Sequence, residues 1–307
     1  MPTPQATENF YRTLQRLQVV LVLAGRRSWS RMGPDFDASW AQIAPQLLQV
    51  ASAAQLAAAT AATAYVPSVL DETGQPDAPE ARVRPEMFAG VAEDGRTLGG
   101  LLSGATRFAK QAVGKGAGPD SALALGGRWL DGALSTIVTD AGRDAAFTEV
   151  AVRPRMGWVR MVNPPCCSRC AVLAGKWYSH NDILPRHRRC DCTLIPSQEN
   201  RAGDFTTSAA ELHKRGLITD LTADQRKRIS DGADLNKVLN EGRDRWRAEL
   251  ALERKRAKAA AKRLQTPDGW GAGTPNPLPP GGIQDFLSHL TNRVQAINEL
   301  KAHGLVT

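Results

Sequence analysis

The chain has 307 residues, of which 42% are hydrophobic and 23% are charged. This composition is near the globular average and excludes wholesale disorder, and the length predicts one to three domains. The formal net charge of +8 favours an anionic partner, such as nucleic acid, over a basic one.

No apolar run approaches the roughly 18–20 residues that span a bilayer. The nearest, Leu17 to Ala24, follows Arg12 and Arg16 and superficially resembles a signal peptide. It is short, Gln18 interrupts it, and no small-x-small cleavage site follows. We interpret it as one buried face of a helix and expect no membrane partner.

Residues 1–150 are predicted to form a helical body. Apolar side chains recur every three to four residues in two segments, which predicts a pair of packed helices. Their positions are Phe10, Leu14, Leu17 and Leu21 in the first segment, and Trp40, Ile43, Leu47, Val50 and Leu56 in the second. Glycines predict short helices between residues 86 and 113, and a long helix from about 121 to 150 follows a cap at Asp120 or Ser121.

Residues 151–200 have a different pattern. Apolar and basic residues alternate between 151 and 163, which predicts a short strand. Its expected partner is the segment from Cys190 to Pro196, where Thr193, Leu194 and Ile195 favour extended backbone. The two strands would form a β-hairpin-like unit, with residues 175–178 inside its long connection.

All five cysteines lie between residues 166 and 192. Cys167 and Cys170 have the spacing of a zinc knuckle, in which two thiolates converge on one metal from a tight turn. In extended backbone, residues two apart point to the same side, so Cys190 and Cys192 can face the same metal. The preferred ligands of a structural zinc ion are therefore Cys167, Cys170, Cys190 and Cys192, with His187 as a substitute.

Cys166 is interpreted as a spare cysteine that packs or stays free. The alternative for the whole cluster is that the cysteines hold no metal and merely pack or form disulfides. A catalytic zinc site needs an open coordination position and a nearby base, and Asp182 and Asp191 fit no known hydrolase pattern. We therefore expect no enzymatic activity.

Two catalytic hypotheses remain as alternatives. An HNH-type nuclease also combines CxxC knuckles with histidines, although the only His/Asn pair here is His180 and Asn181. A nucleophilic pair of Cys190 and His187 is the other. His180 itself is expected to be a surface or turn residue.

Residues 201–265 are predicted to be helical. Short helices are expected at about 207–217 and 222–231, the second capped by Thr222, and a third contains Leu235, Val238 and Leu239. Residues 266–282 are a linker rich in proline and glycine. One terminal helix is predicted in residues 283–307, with Val294 on its apolar face and Gly304 as its stop.

A long basic helix is predicted from residue 243 to about 265. Its positive residues are Arg243, Arg245, Arg247, Arg254, Lys255, Arg256, Lys258, Lys262 and Arg263. Only three acidic residues accompany these nine, so the segment carries most of the net charge. Such a helix suits non-specific phosphate contacts. The alternative is a solvated helix, or one that pairs with an acidic protein surface.

These elements predict a mainly α fold with a small β-hairpin and zinc-knuckle-like module in the middle, an α+β arrangement. The run Pro164–Tyr178, followed by Arg186–Cys192, resembles the MuF-like minor capsid proteins of tailed bacteriophages, especially those of actinobacterial hosts. One departure is Arg188, where that family usually has proline. The segments 88–96, 229–240 and 296–305 also resemble this group.

The resemblance implies a non-enzymatic virion component in few copies, inside the phage head near the portal and in the host cytoplasm during assembly. Its implied role is head morphogenesis, and its implied partners are the portal protein, the major capsid protein, or both. The basic helix would add non-specific contacts with packaged double-stranded DNA. The alternative functions are a metal-dependent HNH-like nuclease and a simple non-specific DNA-binding protein.

Overall fold

The structure is a computed structural model that describes residues 3–93, 95–182, 184, 192–205, 208–241 and 282–307. It is mainly α-helical with one small antiparallel sheet, which confirms the predicted fold class. The helices are α1 (Gln5–Trp29), α2 (Phe36–Glu72), α3 (Leu98–Leu102), α4 (Gly104–Gly114), α5 (Pro119–Ala151), α6 (Ser168–Ala171), α7 (Ala209–Lys214), α8 (Ala223–Ser230), α9 (Leu235–Asn240), α10 (Gly282–Leu287) and α11 (Arg293–Ala302). The strands are β1 (Met156–Met161), β2 (Trp177–Tyr178) and β3 (Thr193–Gln198).

The three long helices α1, α2 and α5 pack against one another and form the body. Small residues allow their close approach: Ala51, Ala58 and Ala62 of α2 are all fully buried. On α5, a Cβ atom added to Gly126 would lie 2.9 Å from the carbonyl oxygen of Ala105 in α4. The predicted pair of N-terminal helices is therefore confirmed, and backbone contact explains its richness in alanine and glycine.

The apolar run in α1 is buried on one side only. Leu21 is 1% exposed, whereas Val19, Val20 and Leu23 are 58%, 63% and 48% exposed. The interpretation of residues 17–24 as a buried face is therefore wrong for these three side chains. An α-helix turns successive residues through 100°, so a continuous apolar run cannot place all its members in the core.

Helix α5 begins earlier than predicted, and a proline marks its start. Gly118 precedes the helix with extended backbone and makes no side-chain cap, and Pro119 occupies the first helical position. The predicted cap at Asp120 or Ser121 is wrong. Proline suits this position because its fixed φ angle is helical and its missing N–H would have no partner in the first turn.

Helix α2 is long and apolar enough to cross a bilayer by length and composition. The sequence interpretation expected no segment of that kind. In the structure, Trp40, Leu47 and Val66 of this helix are buried in the body. The expected absence of a membrane partner stays a prediction.

The sheet has the strand order β2-β1-β3. β1 pairs antiparallel with β3 from Met156 opposite Gln198 to Met161 opposite Thr193, which confirms the predicted pairing. β2 lies on the other edge of β1, where Tyr178 pairs with Trp158. The segment 175–178 thus adds a third strand to the predicted hairpin.

Side chains from helix α2 and the turn after it fix the sheet to the body. The side-chain oxygen of Gln75 accepts hydrogen bonds from the amide of Gln198 at 2.9 Å and the hydroxyl of Ser197 at 3.2 Å. The Tyr65 hydroxyl donates to the carbonyl oxygen of Leu194 at 2.5 Å. The edge strand β3 therefore has polar anchors at both of its ends.

The predicted C-terminal helix is two helices. Asn292 begins α11 by accepting a hydrogen bond from the amide of Gln295 at 2.9 Å, so the helical hydrogen bonding restarts there. Val294 is 67% exposed and was wrongly placed on the buried face. Gly304, with a φ angle of +70°, ends α11 as predicted.

The predicted division of the chain into segments 1–150, 151–200, 201–265, 266–282 and 283–307 stays a prediction. Part of the third segment and nearly all of the linker lie outside the described residues. Where residues are described, the helical body, the sheet and the C-terminal helices contribute to one apolar core, which includes Val66, Trp158, Ile195 and Leu300.

Candidate metal centre and nucleic-acid interface

The first two predicted zinc ligands lie on a tight turn after β1. Cys167 is the residue before α6, and its carbonyl oxygen accepts hydrogen bonds from the amides of Cys170 at 3.1 Å and Ala171 at 3.0 Å. Cys170 is buried and Cys167 is half-buried. Residues three apart in a helical turn are neighbours on one face, so this turn suits the CxxC half of a zinc knuckle.

The third described candidate, Cys192, directly precedes β3. It is half-buried and packs against a small apolar cluster. Cys170 is a member of this cluster, and Cys167 also packs against it. The pairing of Met161 with Thr193 brings the end of β1 beside the start of β3 and so accounts for this approach. Three of the five candidates therefore share one cluster.

Within the described residues, no group of three or more His, Cys, Asp or Glu side chains is arranged to hold a metal ion. The other two candidates, His187 and Cys190, lie outside that part of the chain. The predicted set of four ligands is therefore incomplete in the structure. The thiol-rich donor set fits zinc chemically, and the site stays a prediction.

Cys166 packs, as predicted. Its side chain is 8% exposed, its amide donates to the Leu217 carbonyl oxygen at 2.9 Å, and its carbonyl oxygen accepts from the Thr219 amide at 3.0 Å. Burial, with smaller contributions from Cys167 and Asp220, raises the pKa of the Cys166 thiol to about 11. The thiol is therefore neutral at pH 7.

Asp220 holds the cysteine turn in place. Its carboxylate accepts hydrogen bonds from the backbone amide of Ser168 at 2.6 Å and from the Ser168 hydroxyl at 3.0 Å. These bonds satisfy an amide at the start of α6 and fasten the turn to the segment before α8. The sequence gives no local signal for this contact because the two residues are 52 positions apart.

His180 and Asn181, the pair considered for a nuclease, both pack against other parts of the chain. The Asn181 side chain donates to the Leu290 carbonyl oxygen at 3.1 Å and accepts from the Ser179 hydroxyl at 2.7 Å. His180 lies in a turn, as predicted, and is half-buried there. Burial, and then Arg293, lowers the pKa of His180 to about 4, which keeps its ring neutral at pH 7.

Arg293 joins the C-terminal helices to the body and the sheet. Its guanidinium donates to the carbonyl oxygens of Val150 at 2.7 Å, Ala151 at 3.1 Å and Met156 at 2.9 Å. These carbonyl groups lie at the end of α5 and the start of β1, and that of Val150 also accepts from the amide of Arg153 at 3.1 Å. Burial lowers the pKa of Arg293 to about 10, so it remains charged at pH 7.

Three acidic side chains meet where α10 begins. Asp144 is 3% exposed and accepts a hydrogen bond from the amide of Ile283, and Glu93 is hydrogen-bonded to Asp140. Burial, and then the neighbouring carboxylates, raises the pKa of Glu93 well above its ordinary value and that of Asp144 to about 7. A proton is thus retained in a cluster that fastens α10 to α5.

The nine basic residues of the predicted nucleic-acid interface, from Arg243 to Arg263, lie outside the described residues. The structure therefore leaves this interface as a prediction. The described helices before it, α7 to α9, confirm three of the helices expected in residues 201–265.

Comparison with known proteins gives no relative on which to base a function: no protein-family model, no curated protein and no solved structure matches the chain.

Proposed function

We propose that the chain is a non-enzymatic, MuF-like minor capsid protein of a tailed bacteriophage. It acts in head assembly, resides inside the phage head near the portal, and passes through the host cytoplasm during assembly. It contacts the portal protein, the major capsid protein, or both, and touches packaged double-stranded DNA through residues 243–263.

The observation that carries this proposal is the place of the resembling segments in the fold. Segments 88–96, 164–178 and 296–305 supply buried residues to the main core, among them Phe88, Tyr178 and Leu300. Segment 229–240 packs against the cysteine turn through Ile229, Leu235 and Leu239. The resembling segments therefore supply buried positions between residues 88 and 305, which supports the proposal.

The contacts of the nuclease candidates support a non-enzymatic role. The Asn181 side chain donates to a backbone carbonyl in the turn before α11. The Asp182 carboxylate accepts a hydrogen bond from the amide of Ser179 at 2.7 Å. Incubation of the purified chain with DNA and Mg²⁺, Mn²⁺ or Zn²⁺ should give no cleavage. Cleavage that His187→Ala abolishes would favour the nuclease instead.

The deciding experiment places the chain in a particle. The chain is produced together with the portal, scaffold and major capsid proteins of its proposed phage, and purified heads are analysed by quantitative mass spectrometry and immunogold labelling. We expect few copies per head, with label at one vertex. Absence from the heads, together with normal assembly when the chain is deleted, would refute the proposed role.

The DNA contact is tested by a salt titration. Log K for duplex DNA should fall with log salt concentration by about 0.9 per phosphate contact. Replacing the nine basic residues of segment 243–263 by glutamine should remove most of this dependence. A control variant changes exposed cations elsewhere, Arg215, Arg226 and Lys237, and should retain it. Equal losses in both variants would assign the effect to overall charge.

Zinc is tested by elemental analysis of protein purified without a chelator. The proposed site, which would join the end of β1 to the start of β3, predicts about one zinc ion per chain. Cys167→Ser should lose the metal, and Cys166→Ser, which removes the packing cysteine, should keep it. Metal-free protein in which all five thiols titrate would exclude the site.

A further inference from the structure

Helix α1 carries an exposed row of side chains that no described part of the chain covers. Arg16, Val20, Leu23 and Arg27 are spaced by four, three and four residues, so they lie along one stripe of the helix. Val20 is 63% exposed and Leu23 is 48% exposed, with Val19 beside them at 58%. We call this row the α1 seam. It is apolar at its centre and basic at both ends.

The rest of α1 fixes the direction of the seam. Leu21 is 1% exposed, and Gly25 lies so close to α5 that an added Cβ atom would be 2.1 Å from Leu134 Cδ1. The indole nitrogen of Trp29 donates to the Leu123 carbonyl oxygen at 2.9 Å. Because the opposite side of α1 is held against the body, the seam faces away from it.

The seam is unbalanced in charge. Glu8 is the only acidic residue of α1, and it pairs with Arg12 at 3.3 Å. Arg26 pairs with Asp131 of α5 at 2.9 Å. Arg16 and Arg27 are exposed and make no ion pair with any residue that the structure describes. Two unneutralised cations therefore bracket the apolar centre, about 16 Å apart along the helix axis.

We propose that the α1 seam binds a protein helix whose own contact stripe is apolar at the centre and acidic at both ends. Such a helix would bury Val20 and Leu23 and place carboxylates opposite Arg16 and Arg27. The apolar contact supplies the association, and the end charges select the partner and its alignment. This inference goes beyond the proposed function, since it depends only on the described surface of α1.

Charge argues against two occupants that the chain itself could supply, which are a second copy of α1 and residues 243–263. In an antiparallel pairing of two copies, Arg16 of each would face Arg27 of the other, and a parallel pairing would face like with like. Residues 243–263 carry nine cations and three acids, so they would also be repelled. An acidic partner removes this repulsion.

The arrangement also argues against a lipid surface. A helix that lies in a membrane interface keeps its basic residues on the face opposite its apolar one. Here Arg16 and Arg27 continue the same stripe as Val20 and Leu23, so inserting the apolar residues would carry the arginines with them. A partner helix can present acidic, apolar and acidic side chains in the matching order along one stripe, whereas a lipid layer cannot.

The test uses three synthetic probes and the full chain. Two helical peptides of about three heptads carry leucine at the central seam positions, with glutamate at the ends of one and lysine at the ends of the other. The third probe is a phosphatidylglycerol vesicle. Isothermal titration measures peptide binding, flotation measures vesicle binding, and analytical ultracentrifugation of the chain alone measures self-association.

We expect the glutamate peptide to bind and the lysine peptide to bind at least roughly tenfold more weakly. The double variant Arg16→Glu/Arg27→Glu should reverse this preference, and Val20→Asp should abolish binding of both peptides. Arg226→Glu, an exposed charge change on α8, is the control and should leave the preference unchanged. Circular dichroism verifies that each variant is folded.

Three results would overturn the proposal. They are equal binding of the two peptides, self-association that Val20→Asp abolishes, and vesicle binding that depends on Val20. Each outcome is separate from the fate of the proposed function. Absence from phage heads would leave the peptide result standing, and failure of the peptides would leave a role in the head untouched.

Discussion

The helical body and the unit around the cysteine turn are stabilised in different ways. We call the second unit the cysteine lobe, and it consists of residues 162–174 and 208–241. In the body, α2 and α5 bury leucine, alanine and aromatic side chains along most of their length, and α1 packs against them. In the lobe, the buried leucines and isoleucine are Leu212, Ile218, Leu221 and Leu239, and α8 buries no residue at all.

In the lobe, hydrogen bonds at the helix ends compensate for the small number of buried apolar side chains. Ser208 and Asp234 cap α7 and α9, and Thr222 and Gln225 form a reciprocal capping box at the start of α8. Each cap is worth about 1 kcal/mol. The stability of the body therefore comes mainly from buried apolar area. The stability of the lobe comes from a few directional hydrogen bonds, to which the proposed zinc site would add a metal ion.

The largest expected effect comes from a cavity in the body. Leu134 is fully buried between α5 and α1. Leu134→Ala should lower the free energy of unfolding by about 3 kcal/mol, because it removes apolar contacts and leaves a void. Urea denaturation monitored by tryptophan fluorescence measures the change. A loss below about 1 kcal/mol would mean that the body does not depend on this packing.

The acidic cluster at α10 predicts a pH dependence of the body. Asp144 keeps its proton up to about pH 7, whereas an unfolded aspartate loses it near pH 4. The stabilisation is fully present below the unfolded pKa and is lost as the pH rises through the folded pKa. Between these values it should decrease by at most about 1.4 kcal/mol per pH unit. The raised pKa of Glu93 acts in the same direction.

The variant Asp144→Asn isolates this contribution. Its free energy of unfolding should fall less steeply than that of the original chain between pH 4.5 and 7.5. Comparison of the two slopes cancels the opposite contribution of His180, whose lowered pKa favours the folded state at higher pH. Identical slopes for the original chain and the variant would mean that Asp144 does not keep its proton in the folded state.

A smaller and more local effect is expected in the lobe. Asp220→Ala removes two hydrogen bonds from a carboxylate to Ser168 and should destabilise the cysteine turn by about 1–2 kcal/mol. Hydrogen exchange at residues 166–174, measured by mass spectrometry, should become faster while exchange in α5 is unchanged. Equal acceleration in α5 would mean that the lobe and the body unfold as one unit. Asp224→Ala, an exposed position on α8, is the matched control.

The smallest effect is a gain in stability. Gly132 lies within α5, and a Cβ atom added there would meet nothing within 4 Å. Gly132→Ala should therefore raise the free energy of unfolding by about 0.5–1 kcal/mol, because alanine is the better helix former. The contrasting variant Gly126→Ala, which pushes a methyl group towards a backbone carbonyl, should destabilise. The same denaturation measurement compares them.

Local sequence patterns predicted most of the secondary structure. Apolar periodicity indicated α1, α2 and α5, and alternation indicated β1 and its pairing with β3. Thr222 was identified as a cap from its own neighbourhood, and the structure confirms it. These signals lie within a few residues of the element that they specify, which is why they can be recognised without a structure.

Contacts between distant parts of the chain were not predicted. Arg293 binds carbonyl groups more than 130 positions away, and Asp220 binds a turn 52 positions away. No periodicity reports such pairs, because an arginine or aspartate in a polar segment has the same appearance whether it is solvated or buried. In α1 the error was different, because the whole apolar run was assigned to one face although the spacing of Leu14, Leu17 and Leu21 leaves Val20 and Leu23 outside it.

The docking of the C-terminal helices has a consequence for residues 242–281. The amide and carbonyl of Arg82 exchange hydrogen bonds with those of Thr307 at 3.0 and 2.9 Å, and Arg293 holds α11 to the end of α5. The 40 residues between Glu241 and Gly282 thus connect two folded parts of the chain. A single proteolytic cut within them should leave two fragments that still purify together.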